Sequence, residues 1–245
     1  MTHHWALAAL LCLCATTTAA VTCRDIDFDK TPYTICEATA AEDIRLFLYN
    51  KNGMPLGHFG NVNAQLAATD ETLVFGMNAG MYHDNRAPVG LYLDNGTWEM
   101  RLVTSAGPGN FGLVPNGVFC IRDTRSDVIE TLRFTRETMP CTYATQSGPM
   151  LVIDGRLHPR FLPKSTSRYI RNGVGTSTDG QRLVFAISRG PVNFHSFGRL
   201  FRDYLKLPNA LYFDGNISRL YAPDIGRSDP GVRMGPIVGI VAPQS

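Results

Sequence analysis

Apolar runs alternate with compact polar clusters along most of this chain. Three segments share the same arrangement, in which an apolar run leads into or out of a polar cluster. They are residues 75–85 (FGMNAGMYHDN), 144–155 (ATQSGPMLVIDG) and 210–221 (ALYFDGNISRLY). The apolar half of each predicts a buried strand, and the polar half supplies Asn, Gln, Ser or Asp beside glycines that let a ligand approach the backbone closely. One such cluster is typical of an ordinary turn. Three of them, with the basic segment 168–175 (RYIRNGVG), predict a functional site at the ends of rigid strands.

The rest of the pattern indicates mainly strands and turns. Residues 44–50 and 72–77 are predicted strands, and residues 62–69 a short helix. Three hairpins are predicted, over residues 88–103, 116–134 and 174–188. The first turns at Asn95-Gly96 and the third at Asp179-Gly180, pairs whose dihedral tolerance suits a tight turn.

One segment has helical spacing instead. Its apolar positions are Phe194, Phe197, Leu200, Phe201, Tyr204 and Leu205. Asn193 is a natural N-cap and Pro208 stops the helix. The aromatic side of this helix is expected to pack on the sheet, although the same stripe could line a ligand pocket. The predicted fold is therefore α+β, a single domain with a mainly antiparallel or mixed β-sheet and a few packed helices.

The N-terminus predicts export. An apolar stretch of 11 residues (WALAALLCLCA) precedes TTTAA, so we expect residues 1–20 to be a signal peptide and residues 21–245 to form the mature domain. The stretch is too short to cross a bilayer comfortably, so no stable membrane span is expected after cleavage. The predicted location is secreted or periplasmic.

Cleavage would leave four cysteines in an oxidising compartment, which predicts two disulfides. The four are Cys23, Cys36, Cys120 and Cys141. Three connectivities are possible, and the local pairs Cys23–Cys36 and Cys120–Cys141 are favoured because each closes a short loop. A metal site needs close pairs such as C-x-x-C, which the sequence lacks. No metal or cofactor is expected.

Charge and motifs narrow the function. A net charge of +2 gives no large field, so neither nucleic acid nor a membrane is an expected partner. Residues 107–112 (GPGNFG) match the dinucleotide pattern, but Pro115 and Gly117 prevent the helix that such a site requires, which leaves a glycine-rich loop. Neither G-x-S-x-G nor H-E-x-x-H occurs, so serine hydrolase and zinc protease chemistry lose support.

The remaining chemistry rests on carboxylates, amides and arginines. Asp214 follows four apolar residues and precedes a glycine, which suits either a strand end in a cleft or a simple Asp-Gly turn. Arg168 and Arg171 lie three residues apart and could grip a phosphate together, although solvation is the default for any arginine.

Taken together and in order, the clusters resemble the phosphodiester glycosidase family. The segments that carry the resemblance are NAGMY with PVGLYLDNG, GNFGLVPNGVF, QSGPMLVIDG, RNGVGTSTDG and ALYFDGNISRLY, from about residue 75 to residue 221. The chain looks most similar to the exported bacterial branch of the family. Where the enzymes of the family typically carry D-G-G-G-S, this chain has DGNIS over residues 214–218, so Asp214, Gly215 and Ser218 agree while the two residues between differ.

The resemblance implies a hydrolase acting on a sugar-1-phosphodiester in a cell-surface or extracellular glycan. Its leaving group is a weakly basic phosphate, so a pair of catalytic carboxylates is less necessary than in other glycosidases. Asp214 and Asn78 are the candidate catalytic residues. The candidate substrate- and phosphate-binding residues are Arg168, Arg171, Asn110, Gln146, Ser147, Gly148, Gly215 and Ser218. Two alternatives stay open: a non-catalytic glycan-binding module, and an envelope protein that organises exopolysaccharide assembly.

Overall fold

The computed structural model describes residues 21–214 and 217–244. It confirms the α+β class, with three β-sheets and few, short helices. The strands are β1 (Thr22–Phe28), β2 (Thr31–Thr39), β3 (Asp43–Phe47), β4 (Glu71–Asn78), β5 (Tyr92–Asp94), β6 (Thr97–Met100), β7 (Gly117–Ile121), β8 (Ser126–Glu130), β9 (Tyr143–Ser147), β10 (Met150–Ile153), β11 (Arg156–Leu157), β12 (Asn172–Thr176), β13 (Arg182–Ser188), β14 (Asn209–Asp214), β15 (Leu220–Ala222), β16 (Arg227–Ser228) and β17 (Ile237–Pro243). The helices are α1 (Phe59–Leu66), α2 (Thr131–Phe134) and α3 (Phe194–Arg199).

Each sheet is antiparallel throughout the described residues. The first has seven strands in the order β1-β2-β13-β12-β14-β10-β11. The second has the order β16-β15-β4-β17-β3, and the third the order β6-β5-β9-β7-β8. Successive hairpins build much of this topology, as the turn residues predicted. β17 is different, because it returns from the C-terminal part of the chain to lie between β4 and β3.

Four phenylalanines from the three sheets meet in the largest apolar core. The ring of Phe185 in β13 lies 4.6 Å from that of Phe75 in β4 and 5.9 Å from that of Phe119 in β7. Phe213 in β14 packs 6.2 Å from Phe119, and all four rings are fully buried. Large aromatic rings contribute heavily to core stability, so this cluster joins the three sheets into one body.

Helix α3 covers the other face of the seven-stranded sheet, as its aromatic stripe predicted. Asn193 caps it, with its side-chain oxygen accepting a hydrogen bond from the Ser196 amide at 2.9 Å. The helix continues as a π-helical turn through Tyr204, and the buried ring of Phe197 stacks on Tyr33 of β2. The predicted helix over residues 62–69 is also present; it begins slightly earlier, at Phe59, and α1 is followed by a 3₁₀ turn that ends at Thr69.

Both local disulfides are present. Cys23–Cys36 joins the paired strands β1 and β2, and Cys120–Cys141 closes a loop with a sequence separation of 21 residues. The described residues contain no helix long and apolar enough to cross a membrane. The predicted signal peptide lies outside the described residues.

Replacing both Cys120 and Cys141 with alanine should lower the free energy of unfolding by about 3 kcal/mol, because opening a loop of this length restores entropy to the unfolded chain. Both cysteines are buried, so alanine retains an apolar side chain at each position. Denaturant unfolding of the oxidised wild type and the double variant measures the difference. An unchanged unfolding midpoint would contradict the expectation.

Candidate functional site

A cleft of about 550 Å³ brings several of the predicted segments together. Its walls come from the loop after β4, the glycine-rich loop, the segment before β12 and the end of β14. Of the predicted site residues, Asp214 and Asn110 line the cleft directly. Tyr82, Asp84, Tyr169 and Tyr212 also line it.

The glycine-rich loop is a tight connection rather than the start of a helix. The amide of Gly107 donates to the carbonyl of Gly112 at 3.3 Å, and a Cβ on Gly112 would lie only 2.1 Å from the Gly107 carbonyl. The chain next enters β7 at Gly117. The loop presents Asn110 to the cleft, and no helix begins there, as the sequence predicted.

Two buried asparagines join the second sheet to the first beneath the cleft. Asn78 ends β4 and Asn172 begins β12, and both are fully buried. Their side-chain amides are paired reciprocally, with Nδ2 of Asn172 donating to Oδ1 of Asn78 at 2.9 Å and Nδ2 of Asn78 donating to Oδ1 of Asn172 at 3.2 Å. The same Nδ2 of Asn172 donates to the Asn78 carbonyl at 3.0 Å. This pair satisfies polar groups that would otherwise be costly to bury.

The asparagine pair also holds the chain on both sides of the DGNIS run. The amide of Asp214 donates to Oδ1 of Asn172 at 3.2 Å, and the amide of Arg219 donates to Oδ1 of Asn78 at 2.9 Å. The Ser218 hydroxyl donates to the Asp214 carbonyl at 2.9 Å. The backbone on either side of the acidic residue is thus fixed to buried strand ends.

The predicted residues of the third sheet brace the walls of the site. The Ser147 hydroxyl donates to the Phe213 carbonyl at 2.8 Å, directly before Asp214. Oε1 of Gln146 accepts from the amides of Leu91 at 3.1 Å and Val103 at 3.0 Å. A Cβ on Gly148 would approach that of Asn116 to 2.5 Å, so close packing explains the glycine. Gly215 lies outside the described residues.

Arg171 is a buried cation that has no counter-ion among the described residues. Its Nε donates to the Val192 carbonyl at 2.9 Å and its Nη2 donates to the Ser167 carbonyl at 3.2 Å. The guanidinium interacts with the Tyr212 hydroxyl, although neither Nη1 nor that hydroxyl forms a hydrogen bond of good geometry. Within the described part of the chain, no acidic side chain forms an ion pair with Arg171. Burial lowers the pKa of its guanidinium, yet arginine stays protonated in proteins, so the charge stays in place.

Aromatic rings replace the missing counter-ion in part. The Arg171 Cζ lies 3.6 Å from the ring centre of Phe194, 5.2 Å from that of Tyr212 and 5.4 Å from that of Tyr169. Cation–π contacts of this kind stabilise a desolvated guanidinium. Tyr169, Tyr212 and Ser167 all line the cleft, so the unpaired cation lies directly behind the cleft wall.

The charge of Asp214 acts on two phenols that line the cleft. Burial raises the pKa of Tyr212, and Asp214 adds to this effect while Arg171 opposes it. Burial likewise raises the pKa of Tyr82, with the Asp214 carboxylate as the next contribution. Both hydroxyls therefore stay protonated at neutral pH. That of Tyr82 donates to the Arg233 carbonyl at 3.5 Å, whereas that of Tyr212 has no acceptor of good geometry. The charges of Arg171 and Asp214 therefore act on the same hydroxyl, with opposite effects on its pKa.

The two arginines that were expected to act together lie in different environments. Arg171 is fully buried, whereas Arg168 is exposed and its Nε donates to the Pro191 carbonyl at 3.4 Å.

Sequence reasoning did not single out Asn172 or the three tyrosines of the cleft. All four lie in the three apolar-and-polar segments or the basic segment described above, and Asn172 directly follows Arg171. Their side chains contact residues of distant strands, and such contacts leave no pattern in the local sequence. Within residues 21–214 and 217–244, no group of three or more His, Cys, Asp or Glu side chains could hold a metal ion.

Comparisons with known proteins agree with this arrangement. The model of the phosphodiester glycosidase family matches residues 71–232. An uncharacterized protein of Escherichia coli strain K12, YigE, is 33% identical over 189 residues, which are 77% of this chain and 72% of that protein.

Two solved structures share the fold. The catalytic domain of zebrafish N-acetylglucosamine-1-phosphodiester alpha-N-acetylglucosaminidase, auto-inhibited by its pro-peptide, matches with a TM-score of 0.59 at 12% identity, over 90% of this chain and 82% of that one. A hypothetical protein from Synechocystis matches with a TM-score of 0.58 at 12% identity, over 91% of this chain and 62% of that one. The family model covers more than half of the sequence and includes every residue that lines the cleft. The chain therefore belongs to the phosphodiester glycosidase family.

Proposed function

We propose that this protein is a hydrolase that cleaves the bond between the anomeric carbon of a sugar and a phosphodiester, in a cell-surface or extracellular glycan. One observation carries the proposal: an aspartate at a strand end lines the cleft, and a buried arginine that forms no ion pair with the described residues lies directly behind the cleft wall. Membership of the family supports the reaction class, and the site supports an anionic substrate.

The phosphate is the natural counter-ion of Arg171. A phosphodiester carries a single negative charge at neutral pH, and a charge-assisted hydrogen bond from Nη1 would compensate a cation that is otherwise unpaired. The hydroxyl of Tyr212 is a neutral donor beside it. Asn110 on the facing loop is available to the same ligand.

Asp214 then acts at the sugar. The bond from the anomeric carbon to the phosphate oxygen breaks, and its electron pair leaves with the phosphate, which needs little protonation because it is a weak base. The carboxylate either stabilises the positive charge that develops at the anomeric carbon or accepts a proton from the attacking water. The water oxygen bonds to that carbon, so the products are a free sugar and a phosphomonoester.

The other predicted residues support these two groups. Both polar side-chain atoms of Asn78 are already used, by Asn172 and by the Arg219 amide, so we assign it to positioning the backbone of Asp214 rather than to contact with the substrate. Ser147 and Ser218 fix the carbonyls of Phe213 and Asp214. Arg168 is exposed and does not line the cleft, so we assign it to contact with the part of a substrate that extends out of the cleft. Gly215 is retained from the family pattern.

An oxidising location agrees with this function. Both disulfides lie within the domain, and such bonds persist in secreted and periplasmic proteins. A substrate in a cell-surface or extracellular glycan would be accessible there.

The direct test is release of free sugar from N-acetylglucosamine-1-phosphodiesters by the purified protein. Arg171→Lys should lower kcat/KM by about 10²-fold, because an ammonium group cannot reproduce the planar guanidinium that stabilises the phosphate charge. Arg133→Lys is the matched control, since Arg133 forms an exposed ion pair with Asp154 and should retain full activity. Circular dichroism establishes that each variant is folded.

Other outcomes would redirect the assignment. Saturable glycan binding by the folded wild type without any sugar release would favour a glycan-binding module. Binding of neither glycan nor phosphodiester would favour a role in exopolysaccharide assembly. Full activity of Arg171→Lys would remove the buried cation from the mechanism.

A further inference from the structure

An aromatic column leads from the protein interior to the guanidinium of Arg171. We use the name aromatic column for the stacked rings of His158, Phe161 and Phe194. The ring centres of His158 and Phe161 lie 4.8 Å apart at an interplanar angle of 21°, and those of Phe161 and Phe194 lie 5.1 Å apart at 8°. Arg171 covers the end of the column, with its Cζ 3.6 Å from the ring centre of Phe194.

The base of the column is anchored on the seven-stranded sheet. His158 is buried, and its amide donates to the carbonyl of Leu151 in β10 at 3.3 Å. Its Nδ1 accepts a hydrogen bond from the Arg160 amide at 3.2 Å, and its carbonyl accepts one from the Phe161 amide at 3.1 Å. Burial lowers the pKa of His158, so its ring stacks as a neutral imidazole. The first two rings are therefore held by backbone contacts.

The upper ring is held by the cap of α3. Asn193 caps the helix that begins at Phe194, and its Nδ2 donates to the carbonyls of Pro163 at 3.0 Å and Ser165 at 3.2 Å. The segment that carries Phe161 is thus joined to the helix that carries Phe194. A T-shaped contact with Tyr212, at 4.8 Å between ring centres, holds the ring of Phe194 from the side.

These contacts determine which edge of the guanidinium is available. Nε and Nη2 are used by the carbonyls of Val192 and Ser167, whereas Nη1 forms no hydrogen bond of good geometry and the guanidinium interacts only with the hydroxyl of Tyr212 on that side. A flat ring 3.6 Å from Cζ restricts tilting of the guanidinium plane, so it also restricts the direction of the N–H groups on Nη1. A flexible aliphatic side chain at the same position would leave that direction undetermined.

We propose that Phe194 is a positioning residue that, supported by Phe161 and His158, orients Arg171 to bind the phosphate of the ligand. This rests on the anion-binding part of the proposed function and extends it to residues outside the cleft lining. No covalent step is involved. The aromatic column acts at the binding step: it holds the Arg171 guanidinium in the orientation that an anionic ligand requires.

The test is calorimetric titration of the purified protein with inorganic phosphate, which needs no turnover. Phe194→Leu should bind phosphate about tenfold more weakly than the wild type, because the planar contact with the cation is lost. Phe194→Tyr retains an aromatic face and should restore the affinity. The matched control is Phe197→Leu, three residues along the same helix, whose fully buried ring contacts Tyr33 and Phe201 instead. It should lower stability and leave phosphate affinity unchanged.

A second variant in the aromatic column distinguishes a loss of Arg171 orientation from a folding defect caused by Phe194→Leu. Phe161→Leu removes the ring behind Phe194 and should weaken phosphate binding in the same direction by a smaller factor. With a diester substrate, both column variants should raise KM by more than they lower kcat, which a general loss of stability would not produce.

The outcomes separate this proposal from the proposed function. Weaker phosphate binding in the column variants, with Phe197→Leu unaffected, supports the column even if no diester is hydrolysed. Equal phosphate affinity in wild type and Phe194→Leu overturns it, even if sugar release is observed. A wild type that binds no phosphate also overturns it, and the sugar-release assay then decides the reaction independently.

Discussion

Asp214→Asn is expected to lower kcat for sugar release by about 10²- to 10⁴-fold, the range typical for loss of a group that transfers a proton in the transition state. Asparagine has nearly the same shape as aspartate. The backbone contacts with Asn172 and Ser218 should survive, since they use only the amide and carbonyl of residue 214. The charge at the sugar is then the main difference between the two proteins.

The measurement is kcat with an N-acetylglucosamine-1-phosphodiester, together with denaturant unfolding of each variant. Asp84→Asn is the matched control, because it removes a carboxylate from the lining of the same cleft. It should change kcat by less than the effect at Asp214, and its unfolding should resemble that of the wild type. Activity of Asp214→Asn within a few-fold of the wild type would show that this carboxylate does not carry the chemistry.

Asn172→Asp is expected to be the most destabilising conservative change near the site, at about 3 kcal/mol at neutral pH. It replaces a buried amide that donates to the carbonyl and to the side-chain oxygen of Asn78. A carboxylate in its place would face those two oxygens and have no hydrogen to donate to either of them. Because the side-chain volume hardly changes, the loss of unfolding free energy measures the electrostatic contribution of the asparagine pair.

The pH dependence of this variant follows from its new carboxyl. Burial next to oxygen atoms raises its pKa in the folded state above the value in the unfolded chain. The difference in stability from the wild type should therefore be small at acidic pH, where the group is protonated in both states, and should grow as the pH rises through the unfolded pKa towards the folded one. Unfolding free energies at several pH values measure this trend.

The control for Asn172→Asp is Asn50→Asp. Oδ1 of Asn50 accepts hydrogen bonds from the amides of Asn52 at 2.9 Å and Met54 at 3.0 Å, and a carboxylate oxygen accepts them equally well. This variant should stay within about 0.5 kcal/mol of the wild type. Equal stability of the two variants would mean that the asparagine pair does not hold the sheets together.

Elements with local signals were predictable from the sequence. The turn pairs Asn95-Gly96 and Asp179-Gly180 lie in the connections of β5–β6 and β12–β13, because they adopt the backbone angles of tight turns with little strain. Asn193 caps α3 as expected, since its oxygen reaches an amide only three residues away.

Strands with weaker patterns were missed. β1 and β2 were not predicted, although Cys23 and Cys36 were correctly paired between them. β17 is a continuous apolar run near the C-terminus, which periodicity alone cannot distinguish from a buried helix. Its place between β4 and β3 depends on residues far away in the chain.

By itself the sequence determined the α+β class, the hairpins, the capped helix, the local disulfides and the segments that supply the site. Only the tertiary structure decided what each polar side chain in those segments does. Asn78 and Asn172 are 94 positions apart, yet each satisfies the buried amide of the other. Arg171 and Arg168 are only three residues apart, yet one is buried against aromatic rings and the other is exposed. Turns and caps depend on contacts within a few residues, whereas burial and pairing depend on which distant strands meet.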